Sequence, residues 1–145
     1  MARETLEARI VAVRAFNRYY TRTIGLLGEG LLASAFSLAE VRVLYELAHR
    51  QSPTASDLCK DLGLDPGYLS RILRGFGKRR LIAKTRSRSD GRQQLLSLTR
   101  KGQATFAPLD VRAREEVAAL LDPLSDAEQR RLIDAMRTIE GLIGA

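Results

Sequence analysis

Two short helical segments that meet at Gly63 constrain the fold of this chain more than any other feature. The first follows Pro53, begins at Thr54-Ala55-Ser56-Asp57, which resembles a capping box with a shorter acid, and stops at the glycine. The second begins with Asp65 as N-cap and Pro66 as first helical residue, a strong start signal, and we expect it to reach about Arg79. Two short helices joined across a glycine predict a helix-turn-helix.

The predicted second helix has two distinct faces. At 100° per residue, Leu69, Ile72, Leu73 and Phe76 form a stripe that should face the core. The opposite face carries Gly67, Arg71, Arg74 and Lys78. Tyr68 and Ser70 flank this face, and all six residues are candidate DNA contacts. The alternative is an ordinary solvated face. The sequence does not tell which arginine meets a base, since arginine binds guanine and phosphate equally well.

Positive charge is concentrated around this helix. Eleven of the 24 Lys and Arg residues lie between Asp65 and Lys101 with only two acids, so this segment carries a net charge of +9. The other 108 residues carry a net charge of −2. Such a local patch on a near-neutral body is typical of a surface that neutralises phosphates.

A β-hairpin is expected directly after the helix-turn-helix. Residues 81–86 and 93–98 are predicted strands on either side of the polar loop 87–92. The fold class predicted from these elements is mainly α with a small β-hairpin wing, a winged helix-turn-helix domain.

Helices are also predicted before and after this part. The first, from about residue 4 to 27, has a 3.5-residue apolar seam that includes Leu6, Ile10 and Val13. Another, at residues 37–49, should begin with a Ser37–Glu40 capping box and bury four residues. Those four residues are Val41, Leu44, Tyr45 and Ala48.

Two more helices should follow the hairpin. The fifth begins at a Thr99 cap, and Pro108 should kink or split it. The sixth follows a second capping box, Ser125–Glu128, and should bury six apolar residues. These are Leu132, Ala135, Met136, Ile139, Leu142 and Ile143.

The hairpin sequence Asp90-Gly91-Arg92-Gln93-Gln94-Leu95-Leu96-Ser97-Leu98-Thr99-Arg100-Lys101-Gly102 resembles the wing pattern D-x-R-x-x-x-L-x-L-T-x-x-G of the MarR family. The resemblance implies a homodimeric regulator that binds a pseudo-palindromic duplex site, with Arg92 in the minor groove and Asp90 holding it. Thr54, Arg86 and Arg88 are further candidate DNA contacts. The alternative for Arg86, Arg88 and Arg92 is an ordinary charged hairpin. It also implies a dimer interface of terminal helices, with candidates Leu6, Ile10, Val13, Leu132, Met136, Ile139 and Leu142.

The expected organisation is a single MarR-like domain over residues 1–145. Residues 1–30 and 100–145 should form the dimerisation helices, and residues 37–99 the DNA-binding part. Three short segments are similar to regulators fused to GNAT acetyltransferases, so the alternative is the DNA-binding half of such a fusion. These segments are Phe16-Asn17-Arg18-Tyr19-Tyr20, Phe36-Ser37-Leu38-Ala39-Glu40 and Gly67-Tyr68-Leu69-Ser70-Arg71-Ile72-Leu73.

One departure from the family concerns the end of the second helix of the helix-turn-helix. Family members usually place glycine just before the wing, where this chain has Arg80, while Gly75 and Gly77 stand inside the helix. Because interior glycine costs about 1 kcal/mol relative to alanine, we expect the helix to fray after Phe76.

Small-molecule and catalytic sites have weaker signals. In the resembling family, aromatic effectors bind near the junction of dimer helices and reader domain, where Phe16, Tyr20, Phe36 and Tyr45 are expected; plain core packing is the alternative. Cys59 is expected to fill core space. With one Cys and one His, we predict no metal site, no cofactor and no enzymatic activity. The composition predicts a cytoplasmic protein without membrane partners.

Overall fold

The computed structural model describes residues 5–24 and 35–144. Within them the chain is mainly helical, with one antiparallel two-stranded hairpin, as the predicted fold class required. The elements in chain order are α1 (Leu6–Thr23), α2 (Leu38–His49), α3 (Ala55–Leu62), α4 (Pro66–Lys78), β1 (Ile82–Arg86), β2 (Gln94–Leu98), α5 (Arg100–Leu121) and α6 (Asp126–Ile143). The contacts divide the chain into two compact units, residues 1–109 and 110–145.

Three helices begin with complete capping boxes. In each, a hydroxyl accepts a hydrogen bond from the amide three residues later, and the acid at that position accepts one from the cap amide. All three pairs were predicted, and the box at α3 uses the shorter acid Asp57. These pairs are Ser37 with Glu40, Thr54 with Asp57, and Ser125 with Glu128.

The core of the first unit lies among α2, α3, α4 and the hairpin. The predicted stripe of α4 is buried in full: Leu69, Ile72, Leu73 and Phe76. Other fully buried side chains come from α2, α3, the α4–β1 junction and β2. They are Val43, Leu44, Leu58, Leu81 and Leu96.

The buried face of α2 differs from the prediction. Tyr45 is 49% exposed and Ala48 is also exposed, whereas Val43 and Leu47 are buried beside Val41 and Leu44. The buried arc is therefore turned by roughly one residue, or about 100°, from the expected one. The cause is that α2 packs against both β2 and α3, which cover its flank.

The hairpin pairs Ile82 with Leu98 and Arg86 with Gln94. Each strand begins one residue later than predicted, because Leu81 belongs to the helix cap and Gln93 to the turn. Leu96 also donates its amide to the carbonyl of Pro53 at 2.9 Å, which ties β2 to the segment before α3. This bond fixes the hairpin against the helix-turn-helix.

The long helices leave their apolar residues uncovered. Neither α1 nor α6 has a buried residue, so the predicted burial on α6 is wrong for the single chain: Leu132 and Met136 are half-buried, and Ala135, Ile139, Leu142 and Ile143 are exposed. Leu6 and Val13 of α1 are exposed as well. The last residues of the predicted first helix, 25–27, lie outside the described residues.

Helix α5 is one continuous helix through Pro108, so of the two predicted outcomes, a kink or a split, the split does not occur. A proline removes a single backbone hydrogen bond, and the bonds on either side of it suffice to continue the helix.

Candidate DNA-binding surface

The basic face of α4 is built from its N-terminus. The Asp65 carboxylate accepts a hydrogen bond from the Tyr68 amide at 3.0 Å, which starts the helix directly after the left-handed Gly63. Because the apolar stripe is buried, the opposite side is turned to solvent. All predicted contacts of this helix are on that exposed side: Gly67, Tyr68, Ser70, Arg71, Arg74 and Lys78.

Helix α4 does not fray after Phe76, contrary to the sequence-based expectation. The amide of Leu81 donates to the carbonyl of Phe76 at 2.9 Å, and that of Arg80 donates to Gly77 at 3.0 Å. Arg80 has a positive φ of 59°. This is a Schellman cap in which arginine takes the place that glycine usually occupies. The guanidinium of Arg79 also lies 4.5 Å from the centre of the Phe36 ring and holds the helix end.

The Thr99 and Gly102 pair joins this helix end to the hairpin. The Thr99 hydroxyl donates to the carbonyl of Arg80 at 2.7 Å and accepts from the amide of Gly102 at 3.0 Å. A Cβ added at Gly102 would lie 2.1 Å from the carbonyl oxygen of Leu81. The T-x-x-G part of the wing pattern therefore has a packing role. It fixes the base of the wing to the end of α4.

The tip of the hairpin is a turn closed by its own polar groups. The Asp90 carboxylate accepts a hydrogen bond from the amide of Arg92 at 3.0 Å, and the amide of Asp90 donates to the Ser87 hydroxyl at 3.3 Å. The amide of Ser87 donates to the Gln93 carbonyl at 2.9 Å. Asp90 thus orients Arg92 through its backbone, while the Arg92 side chain stays exposed.

A groove of about 820 Å³ runs between α3, α4 and the hairpin. It brings together four predicted contacts: Thr54, Ser70, Arg86 and Arg92. The other candidates lie outside this groove. Sequence reasoning missed several residues that line it, although Lys84 could have been found because strand residues two apart share a face with Arg86. The missed residues are Ser56, Lys84 and Gln94, together with Cys59, which is half-buried in the wall and was predicted as core.

Within residues 5–24 and 35–144, the cations of this surface have no carboxylate partners. Among the described residues, ion pairs join Arg50 to Glu46 and Asp61, and Arg130 to Asp126, but none involves α4 or the hairpin. The hydrogen bond from Arg50 to Asp61 raises the pKa of that guanidinium and ties the end of α2 to α3. The positive charge of the face is therefore available to an external anion.

The four aromatic candidates for effector binding lie in three groups. Phe16 stacks on Tyr20 within α1 at 5.7 Å between ring centroids. Phe36 is buried and packs edge-on against Phe76 at 6.2 Å, which matches the core alternative. Tyr45 packs on His49 at 4.3 Å and on Phe106, a neighbour that the sequence did not suggest.

Across the two described ranges of the chain, no three His, Cys, Asp or Glu side chains gather as a metal site would require. The helices there are all too short or too polar to cross a membrane.

A sequence model of the MarR family matches residues 36–93, from just before α2 to the wing turn. The whole chain is also similar to solved regulators. A mutant of MarR from E. coli complexed with operator DNA has a TM-score of 0.73 and 22% identity, with 94% of this chain and 99% of that chain covered. The chain has the MarR winged-helix fold. No relative among curated proteins matches it.

Two other similar structures concern proteins with a small-molecule ligand. PcaV from Streptomyces coelicolor, in complex with its natural ligand, has a TM-score of 0.68 and 23% identity, covering 97% of this chain and 98% of that one. BpsR from Bordetella bronchiseptica has a TM-score of 0.68 and 18% identity, covering 96% and 98%; its DNA binding is regulated by 6-hydroxynicotinic acid.

Proposed function

We propose that this protein is a MarR-type transcriptional regulator that binds duplex DNA in a sequence-specific manner as a homodimer. The observation that carries the proposal is the basic surface of α4 and the hairpin, which forms no ion pair with any carboxylate in the described part of the chain. Helix α4 would enter the major groove while Arg92 at the wing tip reaches the minor groove. Thr54, Arg86 and Arg88 would contact the sugar-phosphate backbone of the DNA on either side of these two elements.

The homodimer is supported by the uncovered apolar residues of the long helices. Leu6 is 73% exposed, and Leu142 and Ile143 are 80% and 81% exposed. Large exposed apolar side chains on several long helices mark an interaction surface more often than a solvated one. A second copy would also supply a second α4, as a pseudo-palindromic operator requires.

An aromatic effector is a further part of the proposal. The support is a similar structure whose DNA binding is regulated by 6-hydroxynicotinic acid. The half-exposed Phe16, Tyr20 and Tyr45 remain candidates to contact it. The buried Phe36 would contribute to core packing and would not contact the effector directly. A ligand that lowers DNA affinity tenfold must favour the non-binding state by about 1.4 kcal/mol, and operator DNA must weaken the ligand equally.

The existence of an effector is tested by the reciprocal effect of operator DNA on ligand affinity. Aromatic acids are screened by thermal shift, and each hit is titrated against the protein with and without operator DNA. An inducer loses affinity when DNA is present. A compound that binds equally in both titrations does not regulate DNA binding.

DNA binding is tested by fluorescence anisotropy on a mixed-sequence 40-bp duplex across a salt series. Arg92→Ala should bind more weakly than the parent at every salt concentration, with a slope of log affinity against log salt shallower by about 1. Its melting temperature should not change, because the side chain is exposed. The matched control is Arg137→Ala, an exposed arginine of α6 opposite the apolar stripe. Equal affinities for parent and Arg92→Ala would contradict the proposal.

A further inference from the structure

Two arginines on the exposed face of α4 could meet DNA bases, and their surroundings differ. The guanidinium carbon of Arg71 lies 5.8 Å from the centre of the Tyr68 ring, one helical turn earlier. Tyr68 is itself only 38% exposed, and its amide is bonded to Asp65. The ring therefore stands on a fixed part of the helix and offers Arg71 a flat surface.

Arg74 has no such support. It is exposed one turn further along, and in the described part of the chain it has neither an aromatic ring nor a carboxylate against it. Helix-turn-helix proteins contact base edges with the N-terminal part of the recognition helix. Arg71 lies nearer to that end than Arg74. Its position on the helix and its contact with the Tyr68 ring therefore both favour Arg71 for base contact.

Placement over a ring leaves the chemistry of base recognition intact. A guanidinium held over an aromatic ring by a cation–π contact keeps N–H groups free to donate, and these match the O6 and N7 acceptors of guanine bidentately. Because the Arg71 side chain is pre-organised before DNA binding, it loses less conformational entropy when it contacts a base. A phosphate contact gains less from this restraint, because a phosphate accepts a cation from many directions.

We propose that Arg71 reads a guanine in each half-site and that Tyr68 is the positioning residue for this contact, while Arg74 binds backbone phosphate. The inference rests on the proposed DNA-binding function and specifies which base the recognition helix selects.

The test is selection from a pool of duplexes with 20 random base pairs, by the purified parent and single variants. Arg71→Ala should lose the preference for guanine at one position of each half-site by about tenfold or more. Arg74→Ala should select the parent sequence but bind all duplexes more weakly, with a salt slope shallower by about 1. Replacing the selected guanine with 7-deazaguanine, which lacks the N7 acceptor, should weaken the parent and leave Arg71→Ala unaffected.

The role of Tyr68 is separated by a conservative variant. Tyr68→Ala should reduce the preference at the same guanine by roughly twofold to fivefold, the value of an exposed cation–π contact. Tyr68→Phe keeps the ring and should restore the preference. In the double variant with Arg71→Ala, the loss of Tyr68 should add nothing further.

The outcomes distinguish this inference from the function it rests on. If the parent selects no sequence, the proposed specific binding fails together with the inference. If the parent selects a sequence that Arg71→Ala retains, the inference alone is overturned. If Tyr68→Ala changes the preference at a different base pair from Arg71→Ala, Tyr68 reads a base itself and the positioning role is wrong.

Discussion

The α-carbon of Gly102 lies against the backbone where α4 passes into the hairpin. A methyl group there would come 2.1 Å from the Leu81 carbonyl oxygen, so the backbone must move to admit it. We expect Gly102→Ala to lower the free energy of unfolding by about 1–3 kcal/mol or more. Gly75→Ala is the control, since nothing lies within 4 Å of its added Cβ; it should raise stability by up to about 1 kcal/mol. Urea denaturation of both variants measures the difference.

Arg80 adopts a left-handed backbone conformation that L-residues with a Cβ rarely take. Glycine removes this strain of about 1–2 kcal/mol but adds unfolded-chain entropy, so Arg80→Gly should be stabilising by up to about 1 kcal/mol. The neighbouring Arg79→Gly should instead destabilise by about 1 kcal/mol, because Arg79 has ordinary helical φ and contacts Phe36. A melting temperature that falls equally in both variants would argue against the left-handed cap.

At the scale of the element, the helix starts depend on ionised carboxylates. Hydrogen bonds from the cap residues Thr54 and Ser125 lower the pKa of Asp57 and Glu128. Since the folded pKa lies below the unfolded one, the caps contribute stability above the unfolded pKa, and this contribution is lost as pH falls through the folded pKa.

The double variant Asp57→Asn and Glu128→Gln retains oxygen acceptors but does not titrate. Its stability should therefore fall less than that of the parent between about pH 5 and pH 3. Glu115→Gln, which replaces an exposed carboxylate in α5, is the control and should follow the parent. Denaturation curves across this pH range give the comparison, and identical pH dependence in all three proteins would contradict the role of the caps.

Sequence reasoning was accurate where local chemistry decides the structure. The Ser37, Thr54 and Ser125 caps, the stop at Gly63 and the buried stripe of α4 were all readable from residue spacing. It failed where partners distant in sequence decide. Tyr45 is exposed because β2 and α3 cover the other flank of α2, and α4 persists because Thr99 holds the Arg80 carbonyl. Neither contact leaves a periodic signal in the helix that it affects.

At the scale of the whole molecule, the uncovered faces of α1 and α6 predict self-association. The double variant Ile139→Glu and Leu142→Glu places charges within the α6 stripe and should convert a dimer into a monomer at micromolar concentration, as measured by light scattering. Arg137→Glu changes a charge on the opposite face of α6 and should leave the mass unchanged. A monomeric parent protein would refute the dimer.

Specific recognition of duplex DNA is a property of the protein as a whole. Its basic surface alone would bind any duplex, so affinity for one DNA fragment decides nothing. The decisive measurement is the ratio of affinities for a selected duplex and for a shuffled duplex of equal length and composition, at physiological salt. A sequence-specific regulator should give a ratio of about 10³ or more, whereas a ratio near one would make the protein a nonspecific architectural DNA binder and contradict sequence-specific recognition.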